Sequence, residues 1–423
     1  MLVGYKYKLL PSEAQIEILN QWEGSTRWLW NNFLSQNITQ YATDKKFIWR
    51  YDLSSQLPNL KKQFNWLSEL PSQSLQKVAL SIDRALHAIK KSKFGFPRFK
   101  KKGVSNGQIK IDQTNNHIKT SETHIKIPKI GNIKWIYHRD LPNGLRSISI
   151  TKDIDQWYVS CLCKIEDQQQ VLIDRDNCVG IDLGIKAFAV TSDNEITDSP
   201  KFLKRSLNKL KWKQRKLSHK VKGSRNRNKE RIKVAKLHRK IRNQRLNFLH
   251  QTSRRLVNKY DLICTEDLKT KDLLKKKNRT MNRAISDQGW SMFLAMLKYK
   301  CQLYGKHFGQ ISQWAASTKT CNACGYKHQG FGLGIRIWTC PNCKATLDRD
   351  LNAAQNIAFW GQLIIDSSLF KHTVGTTEIQ ACGDVPLTSM KQETASLKGC
   401  GSSRSVPQVF DTNVWRHQFT ISI

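Results

Sequence analysis

Four cysteines constrain this chain more than any other feature. Cys321-Asn-Ala-Cys324 and Cys340-Pro-Asn-Cys343 are separated by fifteen residues. A Cys-x-x-Cys turn presents two thiolates from one knuckle, and two knuckles supply four soft donors for tetrahedral zinc at about 2.3 Å. Gly325 after the first pair and Pro341 within the second suit such turns. The spacing therefore predicts a zinc ribbon over residues 313–345. Because all four ligand positions are cysteine, none stays open for chemistry and the zinc is structural. His328, close by, reads as a surface residue rather than a fifth donor. The other seven cysteines (Cys161, Cys163, Cys178, Cys264, Cys301, Cys382 and Cys400) show no framework spacing. An odd total of eleven, with no signal peptide at Met1-Leu2-Val3-Gly4, points to thiols and metal rather than disulfides.

The charge balance narrows the partners. The 423 residues carry 71 Lys plus Arg against 33 Asp plus Glu, a net charge of +38. Hydrophobic residues still make up 39% of the chain, enough for packed cores rather than a disordered basic tail. Such an excess is neutralised most simply by a phosphate polymer. No apolar run approaches the roughly 18 residues of a membrane span, so a cytoplasmic, nucleoid-associated protein is expected, with no membrane partner.

Periodicity divides the chain. Val3–Leu10 alternates as a strand, and Ser12 with Gln15 forms a capping box that opens a helix. Helical spacing then runs to about residue 91, most clearly in Leu75, Val78, Ile82, Leu86 and Ile89. Trp22, Trp28, Trp30, Trp49 and Trp66 in this stretch read as core. From Gly95-Phe96-Pro97-Arg98 to about Ile165 the period becomes two (Ile109, Ile111; Ile125, Ile127; Ile148, Ile150; Val159, Cys161, Cys163). Residues 1–10 and 95–176 thus form one antiparallel β domain, and 11–94 a helical insertion in it. Residues 201–250 hold 20 Lys or Arg and the single acid Glu230. Leu203, Leu207, Leu210, Leu217 and Val221, then Val234, Leu237, Ile241 and Phe248 after Gly223-Ser224, predict an antiparallel basic helix pair within 200–258. Unpaired like charges on its faces call for a polyanion. From residue 371 to 423 the composition turns nearly neutral and aperiodic, which predicts a loosely ordered tail.

Three acids sit where apolar elements begin or end. Asp182 lies in Val179-Gly180-Ile181-Asp182-Leu183-Gly184, the first strand of a hairpin. Glu266 closes Leu262-Ile263-Cys264-Thr265-Glu266, and Asp350 opens a helix on one face with Ala354 and Ile357. Singly each is a weak signal, since Asp182 could cap a turn and Glu266 could sit in a salt bridge. Their joint placement resembles the ribonuclease H architecture, in which converging carboxylates hold two divalent ions for phosphodiester hydrolysis. Carboxylates suit Mg²⁺, a hard ion that prefers oxygen.

The segments Gly95–Lys102, Gly180–Asp193, Thr265–Lys269 and Cys321–Ile357 resemble, in order, those of the TnpB family, insertion-sequence proteins related to compact type V CRISPR effectors. The likeness runs from residue 1 to about 370. It implies an α/β multi-domain protein: a RuvC/RNase H-like nuclease in two parts (177–312 and 346–370) with the zinc ribbon (313–345) inserted as a target-nucleic-acid-binding element. The β domain (1–10 and 95–176) would be a wedge domain and the helices (11–94) a recognition lobe. The resemblance also implies the catalytic, Mg²⁺-binding trio Asp182, Glu266 and Asp350, choosing Asp350 over Asp348, and zinc on the four cysteines. Its expected partners are a guide RNA from the transposon end and double-stranded target DNA cut beside a short adjacent motif, with no obligate protein partner. Basic candidates for nucleic-acid contact are Arg98, Lys100, Lys101, Lys102, Lys211, Lys213, Arg215 and Lys216. Two other readings stay open: a ribonuclease H-type transposase and a guided regulator that binds without cutting. A His-hydrophobic-His transposase is excluded, because no two of the eleven histidines lie two residues apart.

Overall fold

A computed structural model describes residues 1–373 except 93–94, 104–106, 167, 170–173, 276–277, 331 and 333. The loosely ordered tail expected from the sequence lies outside these residues apart from its first three, which finish the last helix. The chain divides into two compact units, Met1–Glu166 and a second beginning at Asp167. No described helix is long and apolar enough to cross a membrane.

In the first unit, strand β1 (Leu2–Leu10) is followed by helices α1 (Glu13–Asp44), α2 (Arg50–Ser55), α3 (Leu57–Gln63) and α4 (Ser72–Ser92). Strands β2 (Gln108–Asp112), β3 (Lys119–Thr120), β4 (His124–Ile127), β5 (Gly131–Ile136), β6 (Leu145–Asp153) and β7 (Gln156–Lys164) come next. They form one sheet in the order β2-β6-β7-β1-β5-β4-β3, with β1 antiparallel to both β5 and β7. The helices are therefore an insertion between two strands of a single sheet. Ser12 caps α1 through the capping box: its Oγ accepts from Gln15 N at 3.3 Å, and Gln15 Oε1 accepts from Ser12 N at 3.1 Å. Helices and sheet share one apolar cluster, in which Leu19, Trp22, Phe33 and Leu86 join Ile109, Ile111, Ile148 and Val159. Each such large side chain contributes about 1.5–3 kcal/mol on burial. Trp28 meets Trp66 edge-on at 5.0 Å within the same packing.

The second unit is built on β8 (Cys178–Leu183), β9 (Ala187–Thr191), β10 (Ile196–Asp198), β11 (Leu262–Glu266) and β12 (His307–Ile311), in the order β10-β9-β8-β11-β12. The first three strands are antiparallel, whereas β8, β11 and β12 run parallel. Helices α5 (Phe202–Ser218) and α6 (Arg225–Lys259) lie between β10 and β11. Between β11 and β12 come α7 (Thr270–Leu273), α8 (Arg279–Gln288) and α9 (Trp290–Leu303). A hairpin of β13 (Ile337–Thr339) and β14 (Thr346–Asp348) precedes the final helix α10 (Arg349–Thr373). The α/β fold expected from the sequence is found, and the sheet of this unit is mixed.

Alternation along β8 and β11 assigns the two faces of this sheet. Val179, Ile181 and Ile263 pack with Leu249, Val257, Phe293 and Leu297 of α6 and α9. Leu262 and Cys264 pack on the other side with Ile357 and Trp360 of α10. That helix approaches closely at Gly180, where an added Cβ would lie 2.0 Å from Ala354 O, so only glycine fits.

Helices α5 and α6 form the expected pair, zipped by Leu210, Val234, Leu237 and Ile241. Val221, expected in that seam, is instead exposed, because α5 stops at Ser218 and Val221 falls in the connecting turn. Ser224 Oγ then starts α6 by accepting from Arg227 N at 3.1 Å.

Candidate active site and metal centre

Strand parity decides where the acids point. Asp182 follows Ile181, which faces α6 and α9, so its side chain takes the opposite face, towards α10. Glu266 has the parity of Leu262 and Cys264 and takes the same face. Register places it one residue beyond the Ile181–Thr265 pair, beside Asp182 on the neighbouring parallel strand. Asp350 enters from the first turn of α10. Its neighbour Asp348 does a different job: Asp348 Oδ1 accepts from the backbone N–H groups of Asp350 at 2.9 Å and Leu351 at 3.0 Å, which caps the helix.

The electrostatics are those of half-buried carboxyl groups within reach of one another's charge. Burial, with Glu266 and Asp350 adding to it, raises Asp182 to about 7; Arg349 and Arg336 oppose that rise. Burial also raises Glu266, against the hydrogen bond it accepts from the Ser317 hydroxyl. Arg336, just before β13, donates through Nη1 to Asp350 Oδ2, and Arg349 Nε lies 3.8 Å from Asp350 Oδ1. An all-carboxylate donor set on one face of the sheet fits a hard divalent cation bound through oxygen.

The four cysteines do assemble. Their sulfurs all lie within 4.8 Å of one another, with Cys321–Cys343 and Cys324–Cys340 each at 3.7 Å. A tetrahedron with 2.3 Å metal–sulfur bonds has edges of about 3.8 Å. The set therefore fits a four-coordinate metal closely. Each knuckle is closed by a backbone bond, Gly325 N to Cys321 O at 2.8 Å and Lys344 N to Cys340 O at 2.9 Å. Asn342 Nδ2 adds a contact at 3.5 Å to Cys324 Sγ. His328 stays outside the group, its Nδ1 accepting from Gly330 N at 3.0 Å.

The basic candidates separate into two kinds. Arg98, Lys101 and Lys102 are exposed. Lys100 is not: its Nζ lies 4.0 Å from the Trp30 ring centre and its backbone is held by Asn31 at 2.7 and 3.0 Å. Burial and the nearby Lys110 charge lower its pKa. On α5, Lys211, Arg215 and Lys216 are exposed and Lys213 is half-buried, with Lys216 over the Trp212 ring at 3.8 Å.

Sequence reasoning missed Arg336, Ser317, Asn352 and Asn356. Only the asparagines left a trace, as polar residues four apart on a helix face that is otherwise apolar.

A family model described as "Probable transposase" matches residues 160–277, and one described as "Cas12f1-like, TNB domain" matches 290–357. A "Helix-turn-helix domain" model matches 1–46, where the structure has one strand and one long helix. A "Putative RNA-guided DNA endonuclease" of Streptomyces pristinaespiralis is 33% identical over 360 residues, 84% of this chain and 88% of that protein. The chain belongs to the TnpB family. Another such relative, InsQ of Escherichia coli, bears the same description and is 27% identical over 384 residues, 86% of this chain and 93% of that protein. A Cas12f1–sgRNA–target DNA complex solved by cryo-EM matches with a TM-score of 0.54 and 16% identity, over 82% of this chain and 83% of that one. That likeness is one of fold. For this TnpB-family chain, the resemblance read from its motifs is thereby borne out.

Proposed function

We propose that this protein is an RNA-guided DNA endonuclease of an insertion sequence, cutting double-stranded DNA beside a short adjacent motif in a single RuvC-like site. The observation that carries the reading is Asp182: a half-buried carboxyl group on the α10 face of the sheet, raised by its partial burial and then by Glu266 and Asp350. Three antiparallel strands followed by two parallel ones, with the acids on β8, β11 and the start of α10, support a ribonuclease H-like centre. Names of the relatives supply the guided-nuclease reading.

Asp182, Glu266 and Asp350 would hold two Mg²⁺ ions. Such ions lower the pKa of an attacking water and stabilise the leaving oxygen of an in-line displacement. The chain's own residues prepare the site. Partial burial raises Asp182, Ser317 donates to Glu266, and Arg336 offsets the charge of Asp350. The Cys321, Cys324, Cys340 and Cys343 group would take a structural zinc. Guide RNA from the transposon end would choose the sequence by pairing, leaving the protein to read duplex shape and the adjacent motif. The first unit supplies wedge and recognition surfaces, and α5 with α6 carries nucleic-acid backbone. Such a particle would work in the cytoplasm, on the nucleoid.

The test is cleavage of a matched duplex by protein purified with its RNA. Wild type cuts in Mg²⁺, whereas Asp182→Ala and Glu266→Ala bind RNA and target but do not cut. Undiminished cutting by either variant would sink the assignment. Joining of element ends without RNA would instead favour a transposase.

A further inference from the structure

The turn that begins the first cysteine knuckle also places a hydroxyl on the nuclease centre. Ser317 Oγ donates to Glu266 Oε1, and four residues later Cys321 enters the metal group. Two asparagines one helical turn apart on α10 hold this segment. Asn352, Asn356 and Ser317 are only 1%, 3% and 2% exposed. Asn356 Nδ2 donates to Ser317 O at 2.8 Å and to Thr320 O at 2.7 Å. Asn352 Nδ2 donates to the same two oxygens at 3.4 and 2.8 Å, and its Oδ1 accepts from Asn322 N at 2.8 Å.

This pairing is chemically selective. A side-chain amide nitrogen carries two hydrogens and a carbonyl oxygen two lone pairs, so two asparagines and two carbonyls saturate one another. Aspartate would set a carboxylate against two carbonyl oxygens, and a buried polar group left unpaired costs about 1–3 kcal/mol. Ala353 and Ala354 beside them are fully buried, so simple packing against the sheet is met without amides. What the amides add is one fixed placement of residues 317–322, which bear on Glu266 at one end and on the metal knuckle at the other.

We infer that Ser317 is a positioning residue for Glu266, that Asn352 and Asn356 set it, and that the cysteine knuckle is thereby part of the nuclease centre. The inference rests on the reading of Asp182, Glu266 and Asp350 as a divalent-ion site. A ligating carboxylate held by an outer hydrogen bond enters its metal site already oriented, and loss of such a partner typically costs about 10–100-fold in metal affinity.

The experiment titrates Mn²⁺ into the full-length protein–RNA complex, with free Mn²⁺ read by electron paramagnetic resonance. Zinc content, target binding and the Mg²⁺ dependence of cutting are measured on the same preparations. Ser317→Ala is expected to weaken Mn²⁺ binding and raise the half-maximal Mg²⁺ concentration about 10–100-fold, with zinc content and target binding unchanged. Ser317→Thr keeps the hydroxyl and stays near wild type, while Asn356→Asp follows Ser317→Ala. Equal Mn²⁺ affinity in Ser317→Ala and wild type overturns the inference, as does failure of threonine to restore it in a zinc-loaded protein. Should Asn356→Asp not fold, the serine pair decides alone. Glu266→Gln separates the layers: if it leaves Mn²⁺ binding intact, the divalent-ion reading itself has failed.

Discussion

The two units bury different chemistry. The first is closed by apolar side chains, with Leu19, Trp22, Phe33 and Leu86 packed against isoleucines of the sheet. The second has apolar clusters on both faces of its sheet, yet it also buries Ser317, Asn352 and Asn356 and half-buries Asp182 and Glu266. One interior is arranged for stability. The other carries half-buried carboxyl groups on one face of its sheet, whose partial desolvation costs stability.

The largest expected effects lie in the second unit. Glu266→Gln should lower Mg²⁺-dependent cleavage by more than about 1000-fold, near 4 kcal/mol of barrier, without a comparable loss of target binding. Gel-based cleavage and filter binding on one preparation check this, and parallel losses in both would erase the distinction between the units. In the first unit, Phe33→Ala should cost about 3–5 kcal/mol of stability by opening a cavity. Denaturant melts read that loss, and the residual folded fraction should cut at the wild-type rate.

Metal removal comes next. Cys340→Ser, or a chelator strong enough to strip the thiolate site, should loosen the segment that follows Ser312 while leaving the sheet of the first unit intact. Hydrogen exchange resolves the two, and equal deprotection of both units would contradict it.

A pH series sharpens the contrast further. Folding raises Asp182 from near 4 to about 7, so the native state keeps this proton at pH values where the unfolded chain has lost it. Its contribution to stability is therefore greatest below pH 4, declines as pH rises towards 7, and levels off above that. In metal-free protein, Asp182→Asn should raise the Tm by a few degrees more at pH 8 than at pH 5. A difference that does not grow with pH would show the carboxyl to be relaxed. Smallest is the effect of single surface charges: Lys211→Ala or Lys216→Ala should each lower the salt slope of RNA or DNA binding by about 0.7–0.9.

Much of this was legible in the chain. Period-two and helical runs gave β1, α1, α4 and the α5–α6 pair, because each element buries one continuous apolar stripe. The cysteine pairs were legible since a tetrahedral site needs two knuckles, and the helix with Asp350, Ala354 and Ile357 on one face is α10. Val221 misled for a local reason: a turn ended α5 early. The half-burial of Lys100 was not legible, because Trp30 and Asn31 that hold it lie some seventy residues away along the chain.

What the sequence determined by itself was most of the elements and the pairing of the four cysteines into two knuckles, since periodicity and ligand spacing are local properties. Only the tertiary structure decided which groups meet. Parallel register set Glu266 beside Asp182, and a glycine let α10 approach. The pairings of Ser317 with Glu266, of Arg336 with Asp350 and of two asparagines with two distant carbonyls span 51, 14 and as many as 39 residues. Hydrogen bonds at such separations leave no period along the chain, because they are fixed by the packing of elements rather than by the sequence between them.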